Sequence, residues 1–313
     1  DTSGTLEIQS AGTTKFTVNS AGVDIPAIGT IDGLTSINSG QIGGRRNIVI
    51  NGEMKVAQRS TSVAGLGAAA GYFTLDRWRM AVGAATAGRF TMAQVADGPA
   101  GIANCLKLTT TTADTSIAAG EALLLQTRFE GQDLQQLKKG TASAEQVTVS
   151  FYVKGNAAAL YVCELFDQDN TRSITQSFAV TTAWNRIELT FAADTSDPLD
   201  DDTANSFSLQ IWLHAGATYT GGTFAVNTWN DSTNANRYAV ADRTSIFDAT
   251  SRTFFITGVQ MEVGSTATEF ESRSFGEELA LCQRYYEHSY NYGVAIGTTT
   301  YDGGSFVGGS ATT

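Results

Sequence analysis

Residues 147–154 read Val-Thr-Val-Ser-Phe-Tyr-Val-Lys, with an apolar side chain at every second position. Only an extended strand gathers such residues on one face, because its successive side chains point to opposite sides. The same period recurs over 89–95, 105–109, 160–166, 174–180, 184–191, 207–213 and 254–263, and 122–129 is a near-continuous apolar strand. About ten short strands at this spacing, with no strand–helix–strand rhythm, predict an antiparallel two-sheet sandwich over residues 47–273. Between them, 131–137 reads as one helical turn or a loop.

The composition agrees. Gly is abundant at 32, Pro nearly absent at 3, and only 16% of residues are charged, a mixture suited to β structure with tight turns. The net charge of −11 argues against a nucleic-acid partner, which would need a basic footprint. No apolar run has the length of a membrane span and no signal peptide is visible, so no membrane insertion is expected. Cys105, Cys163 and Cys282 are odd in number and far apart, and read as buried thiols. The chain opens on Asp1 without a Met and stops at Thr313 in mid-pattern, and it is read as part of a longer polypeptide.

The first 25 residues repeat themselves. Leu6-Glu-Ile8-Gln-Ser-Ala-Gly12 is echoed by Phe16-Thr-Val18-Asn-Ser-Ala-Gly22, each a short strand ending in a Ser-Ala-Gly turn. Such a hairpin has too little apolar face to stand alone in water. Several chains sharing one apolar axis through Leu6, Ile8, Phe16 and Val18 would cover it; a hairpin docked on the main domain is the alternative. Residues 26–46 read as a linker with a short strand or turn. Its basic pair, Arg45-Arg46, is a solvated pair or an inter-chain ion pair.

The stretch from Asn47 to Trp78 opens the sandwich. It is read as an apolar strand over 47–50, a tight turn at Asn51-Gly52, and a charged pair, Asp76-Arg77, beside Trp78. Trp78 and Trp184 are expected in the core, and Asp76 with Arg77 as a buried or half-buried ion pair. The pattern NxxINGxMxVxQRxTS…GYxTxDRW resembles one found in tail-fibre proteins of tailed bacteriophages, where it opens a carbohydrate-binding-module-like sandwich. With 147–153, 184–191, 254–263 and the helix described next, the resemblance covers most of residues 45–292. It implies a jelly-roll-like topology, a thin trimeric β-repeat shaft ahead of the sandwich, and a structural module more firmly than a ligand.

A helix is predicted over 274–289. Ser274-Phe-Gly-Glu277 has capping-box spacing, and the Glu277-Glu278 start and Arg284 near the end suit the helix dipole. Phe275, Leu279, Cys282 and Tyr286 share a stripe that Leu281 and Tyr285 widen beyond the need of a lone surface helix. Leu281 and Tyr285 are therefore candidate contacts to a neighbouring chain, a helix covering only its own domain being the alternative. Residues 290–313 return to Tyr-, Gly- and Thr-rich sequence, where related fibres begin a further β region.

No catalytic constellation is found. His214 and His288 lack metal-ligand spacing, and there is no nucleophile elbow and no phosphate loop, so no enzyme, cofactor or metal is expected. Glu121, Glu130, Asp133, Glu164, Asp167 and Asp169 read as turn or surface residues rather than a glycosidase pair. Asp200-Asp201-Asp202 reads as a solvated acidic loop rather than a calcium site. The connection 216–252, with Tyr219, Trp229, Asn230, Asn234, Asn236, Arg237 and Tyr238, has the aromatic and amide content of a glycan-recognition loop on a rigid scaffold. In the strand before it Phe207, Leu209, Ile211 and Leu213 take one face and Gln210 and Trp212 the other. Trp212 is then a sugar platform, a second-sheet core residue or a contact to another protomer. The expected function is a trimeric tail-fibre component of a virion, linking it to other tail proteins and to a bacterial surface glycan or protein. A capsid or neck fibre, or a glycan-active enzyme or its binding module, is the alternative.

Overall fold

A computed structural model of the chain describes residues 45–294 and Thr298, together with the backbone of five short strands ahead of them. The chain divides into two units, Asp1–Ile37 and Asn38–Thr313. In the first, β1 (Leu6–Ser10), β2 (Thr13–Asn19) and β3 (Gly22–Asp24) form an antiparallel sheet in that order, and β4 (Ser36–Ile37) follows. The two copies of the repeat pair with each other, Leu6 opposite Val18 and Ile8 opposite Phe16. The side chains of these four expected interface residues lie outside the described residues.

The second unit carries β5 (Gly40–Gln41), β6 (Ser62–Leu66), β7 (Arg79–Val82), β8 (Arg89–Val95), β9 (Cys105–Thr112), β10 (Ala122–Glu130) and β11 (Val147–Gly155). After these come β12 (Ala159–Asp167), β13 (Arg172–Val180), β14 (Asn185–Phe191), β15 (Asn205–Ala215), β16 (Asn230–Asp231) and β17 (Thr253–Val263). β8 through β15 and β17 are the segments that the alternation marks. They build two six-stranded sheets, ordered β16–β13–β12–β15–β10–β7 and β14–β11–β17–β9–β8–β6, here sheets I and II. Their strand pairs are antiparallel. Only the steps β8–β9, β12–β13 and β15–β16 stay within a sheet; every other step from β6 on crosses between the two, the jelly-roll-like weave that was expected. The 131–137 stretch forms two short 3-10 turns.

The inner faces meet in one core. Phe151 of sheet II and Phe178 of sheet I meet edge to face at 5.0 Å, and Tyr161 and Phe254 do so at 5.5 Å. Cys105, Cys163 and Cys282 are free and buried, and burial pushes the Cys105 thiol up to about 11, so it stays protonated.

The opening stretch is built on a turn. Asn51 takes a positive φ of 59°, its side-chain amide donates to the Val56 and Asp76 carbonyls at 2.8 Å, and its own carbonyl accepts the Trp78 indole N–H at 2.9 Å. Gly52 is required there, because a Cβ would stand 2.1 Å from the Val259 carbonyl oxygen. Trp78 is fully buried, as expected. Several expectations need correction. Residues 47–50 are an extended arm rather than a strand: Ile48 donates to Met261 at 2.9 Å, but the Asn47 side chain takes Val49 N–H, Met261 N–H and the Val259 carbonyl in place of a ladder. Asp76 pairs not with Arg77 but with Arg59 at 2.8 Å, because the positive φ of 70° at Arg77 sends that side chain to the Arg128 carbonyl and over the Tyr285 ring. Trp184 is only half-buried, set against Phe255 on the outside of sheet II with its N–H on the Asp97 carbonyl.

Of the two helices among the described residues, α1 (Ala217–Thr220) and α2 (Phe275–Gln283), α2 is the predicted one. It stops at Gln283 rather than 289, because Tyr285 and Tyr286 both close back onto the Cys282 carbonyl. Ser274 caps it by accepting the Glu277 N–H, while the Glu277 carboxylate pairs with Arg45 instead of completing the box. The buried face is Glu278 and Cys282, with Leu281 and Tyr285 half-buried. Residues 290–294 carry no strand, and most of the expected β region beyond them lies outside the described residues.

Candidate functional site

The outer face of sheet I is set by strand register. Gln210 on β15 stands between Gln126 on β10 and Glu164 on β12, and Gln126 pairs in turn with Arg79 on β7. One row across four strands therefore reads Arg79, Gln126, Gln210, Glu164. The row on one side is Ala81, Leu124, Trp212, Val162, and that on the other is Arg128, Ser208, Phe166. Because side chains alternate along each strand, all of these point away from the core. Polar residues on central strands are unusual where a face is covered; here they line a hollow.

The cover is the connection 216–252. Tyr219 from α1 and Tyr238 flank the Trp212 ring at 5.3 and 5.9 Å, and Tyr238 donates its backbone N–H to Tyr219. Arg237 lays its guanidinium over the Trp212 ring at 4.9 Å and the Phe166 ring at 4.6 Å. Its guanidinium makes two bonds to Glu164 at 2.8 and 2.7 Å, and Trp212 donates its N–H to the same carboxylate at 2.7 Å. Glu164 is 0% exposed, so this carboxylate is saturated by charge-assisted bonds. Beside the covered part a cleft of about 250 Å³ stays open. Its floor is Leu124, Gln126, Gln210 and Trp212; its walls are Arg79, Ala81, Val82 and Gly83 on one side and Phe166, Gln168, Tyr219 and Arg237 on the other.

Two guanidiniums stand in this cleft, and among the described residues neither carries a carboxylate. Arg79 Nη1 and Arg128 Nε both donate to the one side-chain oxygen of Gln126, each at 3.2 Å. Burial, and then the neighbouring Arg128 charge, pull the Arg79 pKa down. The groups on offer are side-chain amides, guanidinium forks and aromatic edges. Together they suit a ligand rich in hydroxyls with C–H faces.

Of the residues expected to touch a glycan, Trp212 and Tyr219 reach the cleft, and Trp212, at 1% exposed, forms its floor rather than an open platform. Tyr238 is buried beneath, its hydroxyl on the Thr244 carbonyl. Trp229 lies at another edge of the sandwich, against Phe207 at 6.2 Å with its N–H on the Ala192 carbonyl. Asn230 and Asn234 are exposed and do not line the cleft. The sequence reading missed Arg79, Gln126, Arg128, Phe166 and Gln168. Gln126 and Arg128 carried a signal, since they are polar at i and i+2 within an apolar strand and so define one outward face.

Apart from Glu164, the carboxylates singled out in the sequence lie away from the cleft. Glu130 pairs with Arg284, which pulls its pKa down to about 2, and Asp167 pairs with Lys139 at 2.5 Å. Asp200, Asp201 and Asp202 sit in an exposed loop. Asp114, Glu121 and His214 converge within 4.8 Å, all buried, a set of a kind that divalent ions take. Each is also satisfied by hydrogen bonds: His214 by Ser245 at 2.7 Å and Glu121 at 3.3 Å, and Asp114 by the Ala87 and Gly88 N–H groups. A larger hollow, about 380 Å³, lies by Ile117, Tyr238 and Asp242 to Ser245, but loop residues rather than a sheet face form it.

No protein-family model matches the chain, and no curated protein does. Among solved structures, it is similar to a family 30 carbohydrate-binding module at 12% identity and TM-score 0.33, over 71% of this chain and 91% of the other. It is also similar to the family 11 module of Clostridium thermocellum in complex with a β-1,3-1,4-mixed-linked tetrasaccharide, at 13% identity and TM-score 0.31, over 67% of this chain and 99% of the other. Likenesses this distant leave the ligand to be argued from the cleft itself.

Proposed function

We propose that the sandwich is a glycan-binding module, and that the cleft on the outer face of sheet I is its site. The observation that carries this reading is the cleft's lining. The Gln126 side-chain NH2 can donate to a hydroxyl and Gln210 and Gln168 offer further amide groups, while Phe166 and Tyr219 supply apolar surface for sugar C–H faces. Binding rather than cleavage is favoured because Glu164, the carboxylate next to the cleft, is already taken by Arg237 and Trp212. Glycoside hydrolysis canonically uses a pair of carboxyl groups flanking the scissile bond.

The setting proposed for the module is a homotrimeric tail fibre of a bacteriophage, joined to other tail proteins and attaching the virion to a bacterial surface. Its support is the sequence pattern from Asn47 to Trp78 and the short β repeat before it. Weak sugar contacts repeated on several chains would add up to firm adhesion through effective concentration. The test is a glycan array probed with the full chain and with a Gln126→Ala/Gln210→Ala variant. Binding by the parent and its loss, about tenfold or more, in the double variant is expected, with Trp229→Ala unchanged. Equal binding by parent and double variant would remove the cleft as the site.

A further inference from the structure

We infer that the cleft selects saccharides that carry a carboxylate, with Arg79 and Arg128 as the pair that receives it; this rests on the glycan reading above. In a chain of net charge −11, like charges side by side with no counter-ion are an anomaly that calls for a ligand. Among the described residues neither guanidinium has an acidic partner, and both are tethered only to the Gln126 amide oxygen. Arg237, the third arginine of the cleft, is neutralised by Glu164 and so is not the receiver. A single Gln oxygen uses one donor from each guanidinium, which leaves the remaining N–H groups of two forks for a ligand.

A planar carboxylate accepts such forks in bidentate fashion, and a cleft wall partly shielded from water strengthens the pairing. Arg79 comes from β7 and Arg128 from β10, adjacent strands whose positions the sheet holds, so little ordering is needed on binding. Phe166 and Tyr219 across the cleft would then meet the uncharged face of the same sugar unit.

The test is calorimetric titration of the full chain with oligogalacturonate, hyaluronan fragments and oligosialic acid, each beside its carboxyl-reduced neutral form. Sulfated heparin fragments and inorganic sulfate are run alongside. At least one acidic saccharide is expected to bind about tenfold or more tightly than its neutral form, with the advantage shrinking as salt rises. It should vanish in Arg79→Gln/Arg128→Gln, return in part in Arg79→Lys/Arg128→Lys, and stay intact in Arg243→Gln; thermal melts of each variant show that it is folded. Equal affinity for acidic and neutral forms would overturn the inference and leave the glycan reading standing. Tighter binding of heparin than of every carboxylated sugar would overturn the choice of carboxylate. Binding of sulfate with no saccharide bound at all, or no binding by any probe, would overturn the inference, while the glycan array decides the glycan reading by itself.

Discussion

His214 shows how a single residue carries pH dependence into this fold. Its ring is fully buried against Phe247, between Ser245 on one nitrogen and Glu121 on the other, with Asp114 nearby. Burial pushes its pKa down from 6.5 to about 4. The unfolded chain therefore binds the proton first as pH falls, so stability is lost between about 6.5 and 4, by up to about 3 kcal/mol. Glu121 works against this: burial, and then the Asp114 carboxylate, raise its pKa above 4.5, so the folded state gains a proton there. Denaturant unfolding at stepped pH is expected to show a net loss across the window, and His214→Gln should flatten it. A parent profile as flat as the variant's would refute the assignment. His214 was legible in the sequence only as a lone histidine at a strand end, because its partners come from positions 114, 121 and 245.

At the scale of elements, α2 is held by a buried ion pair rather than by the apolar stripe its sequence suggests. Glu278 accepts from Arg273 at 3.3 Å and from the Asn51 backbone at 2.6 Å, and Arg273 donates to the Val49 and Asn47 carbonyls. The helix is thereby pinned to the turn that opens the sandwich. Removing one partner of such a pair leaves the other charge buried and unmatched. Glu278→Ala is expected to cost about 3–5 kcal/mol, and Glu278→Gln less, since an amide oxygen still accepts both bonds. Calorimetric melting of the two variants checks this; equal melting points would mean that Glu278 is a bystander. Helix and strand types were both readable from local pattern, whereas the helix end at Gln283 was not. It depends on which carbonyl the next two amides reach.

For the whole molecule, the prediction concerns copy number. The repeat pairs with itself as β1 and β2, and a sheet this small has little apolar area to hold it alone. Light scattering of the full chain is expected to give three copies; a stable single copy would sink the fibre setting while leaving the cleft untouched. What the sequence by itself determined is the sandwich, since alternation along each strand obliges one face to be buried whatever its neighbours are. It also marked the turn at Asn51-Gly52 and the cap at Ser274. The site was decided by tertiary structure alone. Arg79, Gln126, Gln210 and Glu164 are drawn into one row by the pairing of β7, β10, β15 and β12, strands scattered over 79–167 and 205–215, and Arg237 crosses from a connection to neutralise one end of that row. Periodicity assigns a residue to a face of its own strand. It carries no information on which strands lie side by side, and a cleft is made only by that adjacency.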